Sequence, residues 1–124
     1  MSLHLIIISA IVLVTGDSIY LNMIKNYFNH QINLVQNSPA QLNLLGAVLC
    51  YLLLIFGINY FILQPRKTLL DAFLFGIVVY GVYETTNYAL LKNWSIYTVL
   101  IDTLWGGILF TITTYIVNLL AKYI

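Results

Sequence analysis

The chain has 124 residues, 61% of them hydrophobic and 7% charged, with a mean hydropathy of +0.93 and a net charge of +1. Soluble domains carry about 25% charged residues, so this composition excludes an ordinary water-soluble domain, and the absence of a basic cluster excludes a nucleic-acid footprint. The single cysteine, Cys50, excludes an internal disulfide and reads as a small apolar packing residue.

A membrane helix needs about 20 mostly apolar residues. Four stretches qualify, at about residues 3–21, 42–63, 68–91 and 97–120. They predict an all-α integral membrane four-helix bundle, laid out as one transmembrane domain over residues 1–124, with short turns and one longer polar loop between the first two helices. The first stretch lacks a basic leading segment and a small-residue cleavage site, and Asp17 interrupts its end. It is expected to be a retained helix and not a signal peptide.

Residues 22–41 are rich in Asn and Gln and contain Lys25, His30 and Pro39. Met23, Ile24, Tyr27, Phe28, Ile32, Leu34 and Val35 give a rough amphipathic spacing. A short helix in the headgroup layer and a solvated loop both fit this pattern. Gln64-Pro65-Arg66-Lys67 predicts a tight turn, with proline stopping a helix and two cations at the headgroups. Lys92-Asn93-Trp94-Ser95 predicts another, with Trp94 as an interfacial anchor and Ser95 as an N-cap. Four spans put both termini on one side, with Arg66, Lys67 and Lys122, against Lys25 and Lys92 opposite. The excess of cations predicts cytoplasmic termini.

The acids carry most of the information. Asp71 follows Lys67 at i+4 near a helix start, where a surface pair and the helix dipole account for it. Asp17, Glu84 and Asp102 lie inside their spans. The first and third helices end on the side where the fourth begins, so all three acids are expected at similar depth in one leaflet. An acid at mid-membrane costs about 2.5–3.5 kcal/mol and usually faces the bundle interior. A shared polar cluster is the cheapest arrangement. Tyr80, Glu84, Asn87 and Tyr88 share one helical face, as do Thr98, Asp102, Trp105 and Gly106. Tyr20 stands one turn beyond Asp17, Asn43 lies at a matching depth, and Asn59 is expected to cap or bridge helices at the other end. The bland alternative is that such groups only glue helices together, at about 0.6 kcal/mol per interhelical hydrogen bond. One Asn or Thr is usually that; three acids at one level without a buried cation go further.

The chain resembles domain-of-unknown-function family 2177, a family of small membrane proteins. The likeness rests on Asp17, on the block Tyr80-Gly81-x-Tyr83-Glu84-x-Thr86-Asn87, on Trp94, and on Asp102-x-x-Trp105-Gly106. Glu84 stands where the family usually has Asp, and Tyr20 where its first helix usually has Trp; both changes keep the group type. The resemblance implies a four-helix membrane protein and no particular activity.

Three function classes fit these observations. In the first, an intramembrane carboxylate pocket binds a small polar group or a lipid headgroup, or relays protons. Asp17, Glu84 and Asp102 would do the chemistry, and Tyr80, Tyr83, Asn87 and Trp105 would orient them. In the second, the chain is a structural or accessory subunit of a larger membrane complex. In the third, copies assemble into a transporter or channel. The partners so implied are membrane lipids, a second copy or a membrane-complex subunit, and no nucleic acid. No motif specifies a cofactor or decides whether the protein is an enzyme. His4 and His30 are isolated, and carboxylates alone suit only hard cations, so no metal is expected.

Overall fold

A computed structural model describes residues 2–123. The described residues form helices joined by turns, without a strand: α1 (Leu3–Gln36), α2 (Leu44–Ile58, continued by a π-helical turn at Asn59–Leu63), α3 (Leu69–Leu90) and α4 (Ile96–Ala121). All four are long and apolar enough to cross a membrane.

The starts of α2, α3 and α4 have local causes. The Asn43 side chain accepts from Gly46 N at 3.0 Å and caps α2. Thr68 and Asp71 form a reciprocal capping box on α3, Thr68 N donating to Asp71 and Asp71 N to Thr68. This use of the Asp71 carboxylate is the helix-start role expected of it. Ser95 caps α4 by accepting from Tyr97 N.

The 34-residue α1 is the element that the hydropathy pattern left open. It runs on through Asn22–Gln36, without the break that a loop or a separate headgroup helix would need. No Pro or Gly occurs between Asn22 and Gln36, so polarity there ends the apolar stretch without ending the helix. At about 1.5 Å per residue α1 is about 51 Å long, against a hydrocarbon core of about 30 Å. Its last turns therefore stand in the headgroup layer. It stops at Asn37, whose φ of 58° is a left-handed C-cap.

Antiparallel contacts set the register. On α1 and α4, Gly16 meets Leu109, Asp17 meets Trp105, and Tyr20 meets Asp102. On α1 and α2, Ser9 meets Asn59 and Asp17 meets Tyr51. The closest pairing is α3 with α4, where glycines let backbone meet backbone: a Cβ on Gly76 would collide with the Gly106 carbonyl. Leu13, Ile58, Leu109, Phe110 and Val117 form the buried centre. Asn59 is fully buried, and its amide donates to Ser9 Oγ (2.9 Å) and Ile55 O (2.8 Å), the bridging role expected of it.

Candidate functional site: a carboxylate and aromatic thread

Asp17, Glu84 and Asp102 are all buried, with 7%, 0% and 7% of their surface exposed. Each is held by aromatic N–H or O–H donors and not by a cation. Tyr51 of α2 donates to Asp17 Oδ2 at 2.5 Å, and Trp105 of α4 donates to Oδ1 at 3.0 Å. Tyr20 of α1 donates to Asp102 Oδ1 at 3.2 Å. Trp94, from the α3–α4 turn, donates to Glu84 Oε1 at 2.9 Å. Tyr20 and Trp105 stack at 4.5 Å and 7°, which joins the Asp17 end to the Asp102 end. The result is a continuous thread through all four helices.

Glu84 and Asp102 are buried neighbours, each carboxyl within the electrostatic reach of the other. Two carboxylates cannot bond to one another; a bond forms only when one of them carries a proton. Glu84 Oε2 is buried and accepts no hydrogen bond from any of the described residues. An unpaired buried polar atom is costly, so this oxygen is the least satisfied atom of the thread. Among the described residues no three His, Cys, Asp or Glu side chains gather closely enough to hold a metal ion. Asp17 thus joins the pair through Trp105 and Tyr20, not as a third member of one ligand set.

The other candidates divide. Trp105 lies in the thread. Tyr80 is half-buried, with its ring over Gly106 and edge-on to Phe110, at 6.3 Å between ring centroids. Asn87 is half-buried nearly one turn beyond Glu84. Tyr83 is 59% exposed and turned away from the acids. Its neighbours Thr85 and Thr86 spend their hydroxyls on carbonyls of their own helix.

Trp94, Tyr51 and Gln31 are the residues that sequence reasoning passed over. Trp94 is not an exposed interfacial anchor: it is 9% exposed and turned inward onto Glu84. It lies across a turn from Glu84, so no helical period links the two. Tyr51 lies two turns deeper in α2 than Asn43, which spends its side chain on the cap. Depth counted from the other end of α2 would have found it. Gln31 lies in the segment read as a loop.

Two grooves on the surface have no acid in their lining. One, about 290 Å³, runs between α2 and α3 over Leu53, Gly57, Phe61, Phe75, Val79 and Phe110. The other, about 410 Å³, lies along α3 and α4 at Val78, Gly81, Thr85, Val99 and Thr103. Both are almost wholly apolar.

A family model described as "Predicted membrane protein (DUF2177)" matches residues 2–119, and the chain belongs to this family. No curated protein and no solved structure matches it.

Proposed function

We propose that this member of the DUF2177 family handles protons inside the membrane, at the Glu84–Asp102 pair. The observation that carries the reading is Glu84 Oε2, buried and without a donor among the described residues, on a side chain that neighbours the Asp102 carboxyl. Two like charges side by side in a poorly solvated site do not both persist, and one shared proton removes the conflict. Its place follows from the remaining bonds. Asp102 Oδ1 accepts from Tyr20 and Glu84 Oε1 accepts from Trp94. A proton on Glu84 Oε2 donates to Asp102 and leaves every one of these bonds intact. Passing the proton to Asp102 reverses that donation, while Tyr20 keeps its own proton and goes on donating to Asp102 Oδ1. Asp17, fixed by Tyr51 and Trp105, is the next acid along the thread.

Proton handling suits these acids better than capture of a headgroup. Both oxygens of Asp17 are already engaged, and the two grooves are apolar and lined by no acid. The test is infrared spectroscopy of the protein in lipid, joined to proton flux into proteoliposomes. The expected result is a carboxyl C=O band that shifts in D2O and is lost in Glu84→Gln, with Asp102→Asn displacing it. Flux should fall to the level of empty vesicles in both variants. Wild-type spectra and flux in both variants would overturn the proposal.

A further inference from the structure

Gln31 is a buried amide in a polar, surface-facing segment, 3% exposed, and it spends both ends on one turn. Its Nε2 donates to Asn93 O at 2.7 Å. Its Oε1 accepts from Ser95 N at 2.9 Å and from Thr98 Oγ1 at 2.8 Å. Because the Thr98 hydroxyl is donated to Gln31, the 2.9 Å bond between Tyr27 and Thr98 must run from the tyrosine. Asn93 returns a bond to α1, Nδ2 to Leu34 O at 3.1 Å. Asn93 has a φ of 63°, in the left-handed region, so this turn holds a backbone shape that most residues avoid.

The residue between Asn93 and Ser95 is Trp94, whose indole N–H is the one that reaches Glu84. We infer that Gln31 is a positioning residue for the carboxylate pair. It grips the backbone on both sides of Trp94 and so sets where the indole meets Glu84 Oε1. The headgroup end of α1 is thereby joined to a buried acid one helix away, through one amide and one indole. A displacement of that end of α1 moves the turn, and with it the donor to Glu84. The consequence for proton handling rests on the function proposed above; the coupling itself does not.

The test is the Glu84 carboxyl band in lipid-reconstituted protein bearing Gln31→Met, Trp94→Phe, both together, or Gln31→Glu. Removing a donor from a carbonyl oxygen raises its stretching frequency. Trp94→Phe and Gln31→Met should each shift the band upward, and the double variant should shift it no further than Trp94→Phe alone. Gln31→Glu keeps the acceptor for Ser95 and Thr98 but loses the donor to Asn93. It should fall between wild type and Gln31→Met, and it serves as the second variant where the methionine protein does not fold. A purely structural glutamine would lower the melting temperature and leave the band of the folded protein unmoved. That result in both Gln31 variants, with Trp94→Phe shifted, would overturn the inference. Loss of the proton-flux reading alone would leave these band shifts standing, so the two failures are distinguishable.

Discussion

Tyr51 and Tyr83 are both tyrosines on membrane helices, yet they do opposite things with their hydroxyls. Tyr51 is half-buried and donates a hydrogen bond to Asp17 at 2.5 Å, whereas Tyr83 is 59% exposed on the outer face of α3. Neutral interhelical bonds in membranes average about 0.6 kcal/mol, but leaving a buried acceptor without its partner costs about 1–3 kcal/mol. Tyr51→Phe should therefore destabilise the protein by an amount in that range, while Tyr83→Phe should stay within about 0.5 kcal/mol of wild type. Unfolding of both variants in mixed micelles measures the difference, and equal stabilities would show that Asp17 does not depend on Tyr51. The pair also shows how far the sequence reaches at this scale. Helix direction and depth were enough to select Asp17, Glu84 and Asp102, because a buried acid is expensive wherever it sits. They reached Trp105 and Tyr20 but missed Tyr51 and Trp94, and they put Tyr83 among the orienting groups. Tyr83 belongs to the same motif as Glu84, but one residue along a helix is a rotation of about 100°, enough to face lipid.

At the level of helices, the α3–α4 pair is the least forgiving part of the bundle. A Cβ on Gly76 would meet the Gly106 carbonyl and the Gly107 Cα at the helix crossing, and backbone has no rotamer with which to yield. Gly76→Ala should cost at least the 1–3 kcal/mol typical of overpacking, roughly, and should force α3 and α4 apart. Gly46, in the first turn of α2, is the control, since a Cβ there meets only the Asn43 side chain at 3.7 Å. Gly46→Ala should leave stability unchanged or raise it by up to about 1 kcal/mol through helix propensity. Thermal unfolding of the two variants decides the matter, and a tolerated Gly76→Ala would contradict this crossing. The sequence shows the glycines but no regular Gly-x-x-x-Gly repeat, so which helices they join is visible only in the fold. The length of α1 was hidden for a different reason. Hydropathy finds where a chain can be in lipid, and Asn22–Gln36 fails that test while still meeting the conditions for a helix. Its amphipathic spacing was legible; its continuity with the span was not, because Gln31 is secured by a turn some 60 residues away in the chain.

Taken as a whole, the molecule has few charges with which to choose its orientation. Ser2 bonds to Gln64, so the described N-terminal end lies beside the α2–α3 turn, and four antiparallel helices bring Lys122 back to that side. Arg66 and Lys67 sit in that turn, while Lys25 and Lys92 belong to the opposite face with the end of α1 and the α3–α4 turn. Three cations oppose two, and the acids add little because Lys and Arg in short connections dominate the choice. The expected topology therefore has the termini and the α2–α3 turn in the cytoplasm, which puts the Glu84–Asp102 pair in the outer half of the bilayer. So small an excess is easily reversed. In a Cys50→Ser background, a cysteine at Asn37 should react with an impermeant thiol reagent applied to intact cells, and one at Lys122 should not. Replacing Arg66 and Lys67 with Gln leaves one cation against two, and should produce a mixed or inverted population in which the Lys122 position becomes reactive. Replacing Lys25 and Lys92 instead should sharpen the original pattern. Reactivity at Asn37 that ignores both changes would mean that something other than these five side chains orients the bundle, and the proton pair would then have to be assigned to a leaflet by direct measurement.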